Sequence, residues 1–209
     1  MPGDIVLFGF KPFKEYVENP SEIICNMLSG ATIGSHRVYT KVLDVKYSTV
    51  KPEIIGALDS ARPILVLGLG LAPGRAQVSV EKVAINYRDP NLLDVAGEKP
   101  DSEKIEQGGP AAYETNLPVE KILAALRGAG IPAKLSLSAG SYLCNNAMYL
   151  ICSEASKRGF LGGFIHIPCH EELAAKLEGE TPSMNINTMR KAVEIAAQTV
   201  LDTRIRLEA

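Results

Sequence analysis

Residues 64–68 read Ile64-Leu65-Val66-Leu67-Gly68, a run without a single polar side chain. A strand with one face in water alternates apolar and polar residues, so an unbroken apolar run points to a strand covered on both faces, as in a parallel sheet. The flanking chain agrees. Short apolar runs at 5–8, 38–45, 133–137 and 164–167 alternate with helical patterns, which argues for an α/β fold whose sheet is covered by helices on both sides. Asn19-Pro20-Ser21-Glu22 starts one helix, with Asn19 as N-cap and Pro20 at the first helical position, and the helix is expected to reach residue 28. Val50, Ile54, Ile55 and Leu58 form a second helical stripe that ends before Pro63. Residues 118–126, 144–157 and 188–204 supply three more helices, the last with Met189, Val193, Ala196, Ala197 and Val200 facing inward. Residues 78–87 read as extended, and 88–116 as mostly loop.

The bulk composition narrows the function classes. A chain of 209 residues can bury a substantial core, and no stretch of it resembles a linker, so residues 1–209 are expected to form a single domain. Hydrophobic residues make up 46% and charged residues 22%, as in ordinary soluble proteins. The net charge of −2 is spread without a basic stripe, which argues against a nucleic-acid partner. Cys25, Cys144, Cys152 and Cys169 form no CxxC pair, a usage that fits a reducing cytoplasm. The opening residues show no charged leader followed by an apolar stretch, and no run of about 18 apolar residues exists, so neither a signal peptide nor a membrane-spanning helix is expected.

The chemistry concentrates in Ser136-Leu137-Ser138-Ala139-Gly140-Ser141-Tyr142-Leu143-Cys144-Asn145-Asn146. Cys144 follows a small-residue turn and enters the first turn of a helix, where free backbone N–H groups and the helix dipole favour a thiolate. Gly163-Phe164-Ile165-His166-Ile167-Pro168 offers a base. If 133–137 and 164–167 are parallel strands joined by a right-handed crossover through the helix, His166 returns to the sheet edge that holds Cys144. The pair would then form a thiol–imidazole couple. Each residue alone also has a plainer reading, a small buried thiol and a satisfied core histidine, and Cys25 and Cys152 read as core. Glu81 is the candidate to orient the imidazole, although taken alone it reads more readily as paired with Lys82 or simply exposed, and spacing does not choose. Cys169, His166 and His170 invite a metal, but the two histidines span Pro168 and no second ligand cluster exists. Gly68-x-Gly70 lacks the full phosphate-binding pattern. Neither metal nor cofactor is expected.

Several separated motifs resemble pyroglutamyl peptidase I, a family of cysteine peptidases that remove N-terminal pyroglutamate. They are Gly9-Phe10-Lys11-Pro12-Phe13 with Asn19-Pro20-Ser21, Gly70-Leu71-Ala72-Pro73-Gly74-Arg75 leading to Glu81-Lys82-Val83-Ala84-Ile85-Asn86, Gly109-Pro110-Ala111-Ala112-Tyr113, the Cys144 segment and Phe164-Ile165-His166-Ile167-Pro168. The resemblance covers nearly the whole chain. It implies a three-layer α/β/α sandwich with a mostly parallel twisted sheet, and a triad of Cys144, His166 and Glu81. It also implies a lactam pocket built from Phe10, Phe13, Tyr142 and Leu143, with Asn19 holding the recognition loop. A peptide with N-terminal pyroglutamate would be the substrate, and a homo-oligomer, tetramer or dimer, the assembly. The chain departs from the family pattern at Lys11, at Lys14-Glu15 in place of a glycine pair, and at Leu137. Asn91 stands where the family carries an arginine implicated in oxyanion stabilisation, and Arg88 is the nearby candidate to replace it. The departures keep a second reading open: a divergent member with weak or no peptidase activity, binding or hydrolysing another small cyclic amide.

Overall fold

The computed structural model describes residues 3–13 and 16–208, so Lys14 and Glu15 lie outside the described residues. In chain order its elements are β1 (Asp4–Phe10), α1 (Pro20–Leu28), β2 (Thr32–Ile33), β3 (His36–Leu43), α2 (Tyr47–Ser60), β4 (Pro63–Leu71), β5 (Val78–Glu81), β6 (Val83–Ile85), β7 (Ala112–Glu114), α3 (Val119–Gly128), β8 (Ala133–Ser136), α4 (Leu143–Arg158), β9 (Leu161–Ile167), α5 (Glu171–Ala174) and α6 (Ile186–Glu208). The main sheet has the order β2-β3-β1-β4-β9-β5-β8, and β6 and β7 form a small separate pair.

Alternating side chains of β1 feed two cores. Ile5 and Leu7 pack with α1, α3 and α6 on one face, while Val6, Phe8 and Phe10 pack with α2 and α4 on the other. The continuous apolar run at the start of β4 divides the same way, Leu65 and Leu67 to one side and Val66 to the other. Each fully buried Leu, Ile or Phe contributes about 1.5–3 kcal/mol relative to exposure, which is why a two-sided sheet cannot tolerate a polar residue in these runs. The architecture is therefore helices on both faces of a mostly parallel sheet, as expected. All five inward residues expected in the last helix are fully buried in α6.

One expectation about strand direction does not hold. β8 and β9 are not parallel neighbours: β5 lies between them, parallel to β8 and antiparallel to β9. The crossover rule governs parallel strands of one sheet, and β5 breaks that condition by entering from the loop after β4 in the reverse sense. The other half of the expectation stands. α4 runs away from the edge where β4 ends and stops at Gly159 with a left-handed C-cap (φ 78°). β9 then returns parallel to β4 and carries His166 back to that edge.

Residues 78–87 are extended, as expected, but they split at Lys82. Lys82 N–H donates to the Ser136 carbonyl (2.8 Å) and its own carbonyl accepts from Thr115 N–H (2.9 Å). The 88–116 region is loop except for β7. Asn86 fastens it, donating to the Glu106 carbonyl (2.8 Å) and accepting from Glu106 N–H (2.9 Å).

Candidate active site

Cys144 is the second residue of α4, and it is the only cysteine of the four that is not fully buried. Gly140 turns the chain into that helix with φ +83°, a conformation that disfavours a side chain, and its N–H donates to Ser138 Oγ (3.2 Å). No side chain caps α4, so its first-turn N–H groups keep the free hydrogen-bonding capacity of a bare helix start. The thiol stands over β4. A Cβ built at Gly70 would lie 2.8 Å from Cys144 Sγ and 2.9 Å from the Phe164 ring. Gly70 is the register partner of His166 on β9, so the thiol stands over the strand next to the one that carries the imidazole. Gly68 is bare for a similar reason: a Cβ there would meet the Phe164 ring at 2.3 Å. The Gly68-x-Gly70 pattern thus reflects close approach of Phe164 and Cys144 to the strand.

His166 is 4% exposed and Glu81 is completely buried. Their juxtaposition comes from the antiparallel pairing of β5 with β9, and His166 Nδ1 lies 2.8 Å from Glu81 Oε1. Arg75 joins them, its Nη1 donating to the same Oε1 at 2.7 Å and its Nη2 to the Ser138 carbonyl at 3.3 Å. Burial pushes the imidazole below its ordinary range, against the opposing pull of Glu81. Burial likewise raises the Glu81 carboxyl, but hydrogen bonding from His166, Ser136 and Arg75 outweighs it and holds the group lowered. The arrangement these forces favour is an ionised Glu81 beside Arg75, with neutral His166 donating from Nδ1 and presenting Nε2. The Cys144 thiol is pushed up to about 12 by burial and by the Glu81 charge, with Arg75 opposing. Burial and the Glu81 charge thus both favour the protonated thiol over the thiolate.

The five residues expected to bind substrate line one narrow cavity with Cys144: Phe10, Phe13, Asn19, Tyr142 and Leu143. Val45 and Leu71 complete it. Its free space is about 20 Å³, roughly one water. Phe13 and Tyr142, with ring centroids 6.4 Å apart, also wall an open outer cleft of about 440 Å³. Asn19 serves two elements at once. Its Oδ1 accepts from Ser21 N–H (3.0 Å) as the cap of α1, while its Nδ2 donates to the Lys11 carbonyl (3.1 Å) at the end of β1. Ser21 Oγ in turn accepts from Phe10 N–H (3.0 Å).

Other expected residues lie elsewhere. Arg88 is held by Asp101 (2.5 Å) and the Ile105 carbonyl (3.2 Å), and Asn91 sits in an exposed turn on Asp89 (2.9 Å). Neither hydrogen-bonds any residue of the thiol site. Lys11 forms a surface pair with Asp44 (2.6 Å), and Lys82 pairs with Glu114 (2.8 Å), leaving Glu81 to His166 and Arg75. His170 faces Glu18 (3.2 Å), and Cys169 is buried against Leu71 and Leu173. Among the described residues no group of three or more His, Cys, Asp or Glu could hold a metal. Sequence reasoning overlooked Val45, Leu71 and above all Arg75. The Ala72-Pro73-Gly74-Arg75 stretch did signal a tight turn, but its target lies across the sheet edge.

Fold and geometry together define an α/β protein with a thiol, an imidazole and a carboxylate gathered at one sheet edge. The family model described as pyroglutamyl peptidase matches residues 4–203, and the chain belongs to that family. Among its relatives, pyrrolidone-carboxylate peptidase 1 of Saccharolobus solfataricus is 47% identical over 204 residues, covering 98% of this chain and 97% of that protein. The pyrrolidone-carboxylate peptidase of Klebsiella pneumoniae is 39% identical over 94% of this chain and 92% of its own length. The solved structure of pyrrolidone carboxyl peptidase from Thermococcus litoralis superposes with a TM-score of 0.93 at 36% identity, covering 98% of this chain and 96% of that one.

Proposed function

We propose that this protein is a cysteine-type omega-peptidase that hydrolyses the N-terminal pyroglutamyl residue from peptides. The observation that carries the reading is the line from the Cys144 thiol, seated over Gly70, to its strand partner His166 and on to Glu81 at 2.8 Å, beside an apolar cavity. Cys144 and His166 start neutral. As the sulfur attacks the pyroglutamyl carbonyl, His166 Nε2 takes the thiol proton, the C–S bond forms and the carbonyl electron pair moves to oxygen. Free N–H groups at the start of α4 receive that oxyanion. The intermediate collapses, the C–N bond breaks, and Nε2 hands its proton to the leaving amine. Water then attacks the thioester with Nε2 as base, releasing the free lactam acid and restoring the thiol. Glu81 keeps Nδ1 protonated and stabilises the imidazolium formed on the way.

The cavity supports the choice of substrate. A lactam is flat and uncharged, so apolar walls at Phe10, Phe13 and Leu143 suit it. An ordinary N-terminal ammonium would have to shed its water there without a counter-charge, which is costly. This reading includes one domain over residues 1–209, from the chain's length and lack of a linker, no cofactor, a cytoplasmic setting suggested by the cysteine usage and, on the family resemblance, a homo-oligomer, tetramer or dimer. Among the described residues no helix is long and apolar enough to cross a membrane.

The test is release of the reporter amine from a pyroglutamyl arylamide. Wild type is expected to turn it over and to leave an alanyl arylamide untouched, and Cys144→Ala is expected to lose at least about 10³-fold in kcat. Folded wild type without turnover, or a Cys144→Ala variant as active as wild type, would overturn the proposal.

A further inference from the structure

We infer that Arg75 is a positioning residue for the reaction, clamping the Glu81 carboxylate on one side and the turn that delivers Cys144 on the other. The inference rests on the proposed function and deepens it. Glu81 is completely buried, and an ionised carboxylate in that setting is untenable without a partner. A neutral His166 supplies a hydrogen bond but no charge. Among the described residues Arg75 is the one permanent cation within ion-pair distance of Glu81. Both donors converge on Oε1, and Oε2 has no hydrogen-bond partner among the described residues, so losing Arg75 would leave Oε1 with the imidazole alone.

The local fold is built to deliver this contact. Arg75 N–H donates to the Ala72 carbonyl (3.2 Å), closing a turn with Pro73 and Gly74 at its centre and Gly74 at φ +80°. That is the residue order of a type II turn, which reverses the chain after β4 and brings the Arg75 side chain to the end of β5. The guanidinium fork then makes two bonds in different directions, Nη1 to Glu81 and Nη2 to the Ser138 carbonyl two residues before Gly140. A lysine could supply the charge but not both bonds. Arg75 does not line the cavity beside Cys144, so its effect is expected on chemistry and not on substrate affinity.

If Glu81 lost this cation, it would compete with His166 for the proton that His166 must accept. The expected result for Arg75→Gln is a fall of about 10²-fold in kcat on the pyroglutamyl arylamide, the size of effect seen for misplaced catalytic groups, with KM changed less than about threefold. Arg75→Lys is expected to fall between the two. The acid limb of kcat/KM moves to higher pH in Arg75→Gln, because removing a nearby cation makes both His166 and Glu81 easier to protonate. Millimolar guanidinium chloride is expected to restore part of the activity of Arg75→Ala, while methylammonium at the same concentration does not. A purely structural role would lower the melting temperature without moving the acid limb. The inference is overturned if folded Arg75→Gln keeps wild-type kcat and acid limb, or, should the Gln variant fail to fold, if Arg75→Lys keeps wild-type kcat. Iodoacetamide alkylation of Cys144 against pH needs no substrate. Its profile should move upward in Arg75→Gln and Arg75→Ala, and an unchanged profile in both also overturns the inference. Wild type inactive on the arylamide would sink the proposed function, while the alkylation arm still decides Arg75.

Discussion

A methyl group at residue 70 would land 2.8 Å from the Cys144 sulfur and 2.9 Å from the Phe164 ring, closer than either atom tolerates. Phe164 is fully buried and cannot retreat, so the thiol must move. Gly70→Ala is therefore expected to fold and to lose about 10²-fold in kcat, the cost of roughly 1 Å of displacement at a reacting atom. Single-turnover rates with the pyroglutamyl arylamide, alongside a thermal melt, check this; unchanged kcat would show that the sulfur is not confined by the strand. At this scale the sequence was legible for Cys144 and His166, whose local motifs are unusual. It offered Glu81 as a candidate without deciding its partner, because a carboxylate among β-formers reads the same whether it meets Lys82 or a buried histidine. It was silent on Arg75, since nothing local states which acid an arginine will reach.

Asn19 shows how one side chain can tie two elements together. The Asn-Pro-Ser-Glu sequence declared the start of α1, and the helix begins there with the expected cap bond. The sequence did not show that the same amide also holds the Lys11 carbonyl at the end of β1, next to Phe10 and Phe13. Asn19→Ala is expected to lower stability by about 1 kcal/mol through the cap. It should also raise KM for the arylamide, because the segment carrying Phe13 loses its anchor. Urea unfolding and initial-rate kinetics measure the two effects separately, and a loss of stability with constant KM would confine Asn19 to capping. Strand direction was the least legible feature at this level. β5 and β8 have four residues each, too short for pattern to reveal a partner, and the antiparallel insertion of β5 between β9 and β8 depends on contacts across the whole sheet.

Across the molecule, buried titratable groups set the pH range of stability. Burial pushes Cys25, Cys144 and Cys152 up to about 12, so above about pH 8.5 the unfolded chain releases thiol protons that the folded chain retains. Stability then falls with rising pH, by up to about 1.4 kcal/mol per pH unit for each such thiol. On the acid side His166 is held below its ordinary range, so below about pH 6.5 the unfolded chain binds a proton that the folded chain refuses, and stability falls with falling pH. Urea midpoints at pH 5.5, 7.5 and 9.5 are expected to peak at 7.5, and Cys25→Ala with Cys152→Ala should flatten the alkaline side. A midpoint at 9.5 equal to that at 7.5 would contradict this account. The α/β class, the helix starts and the two-sided burial of β4 follow from the amino-acid order, because periodicity, caps and apolar runs act between near neighbours in the chain. The Glu81–His166–Arg75 cluster, the bare strand beneath Cys144 and the reversal of β5 arise from packing between residues far apart in sequence. No local pattern encodes which distant partner will neutralise a buried charge or fill the space above a glycine.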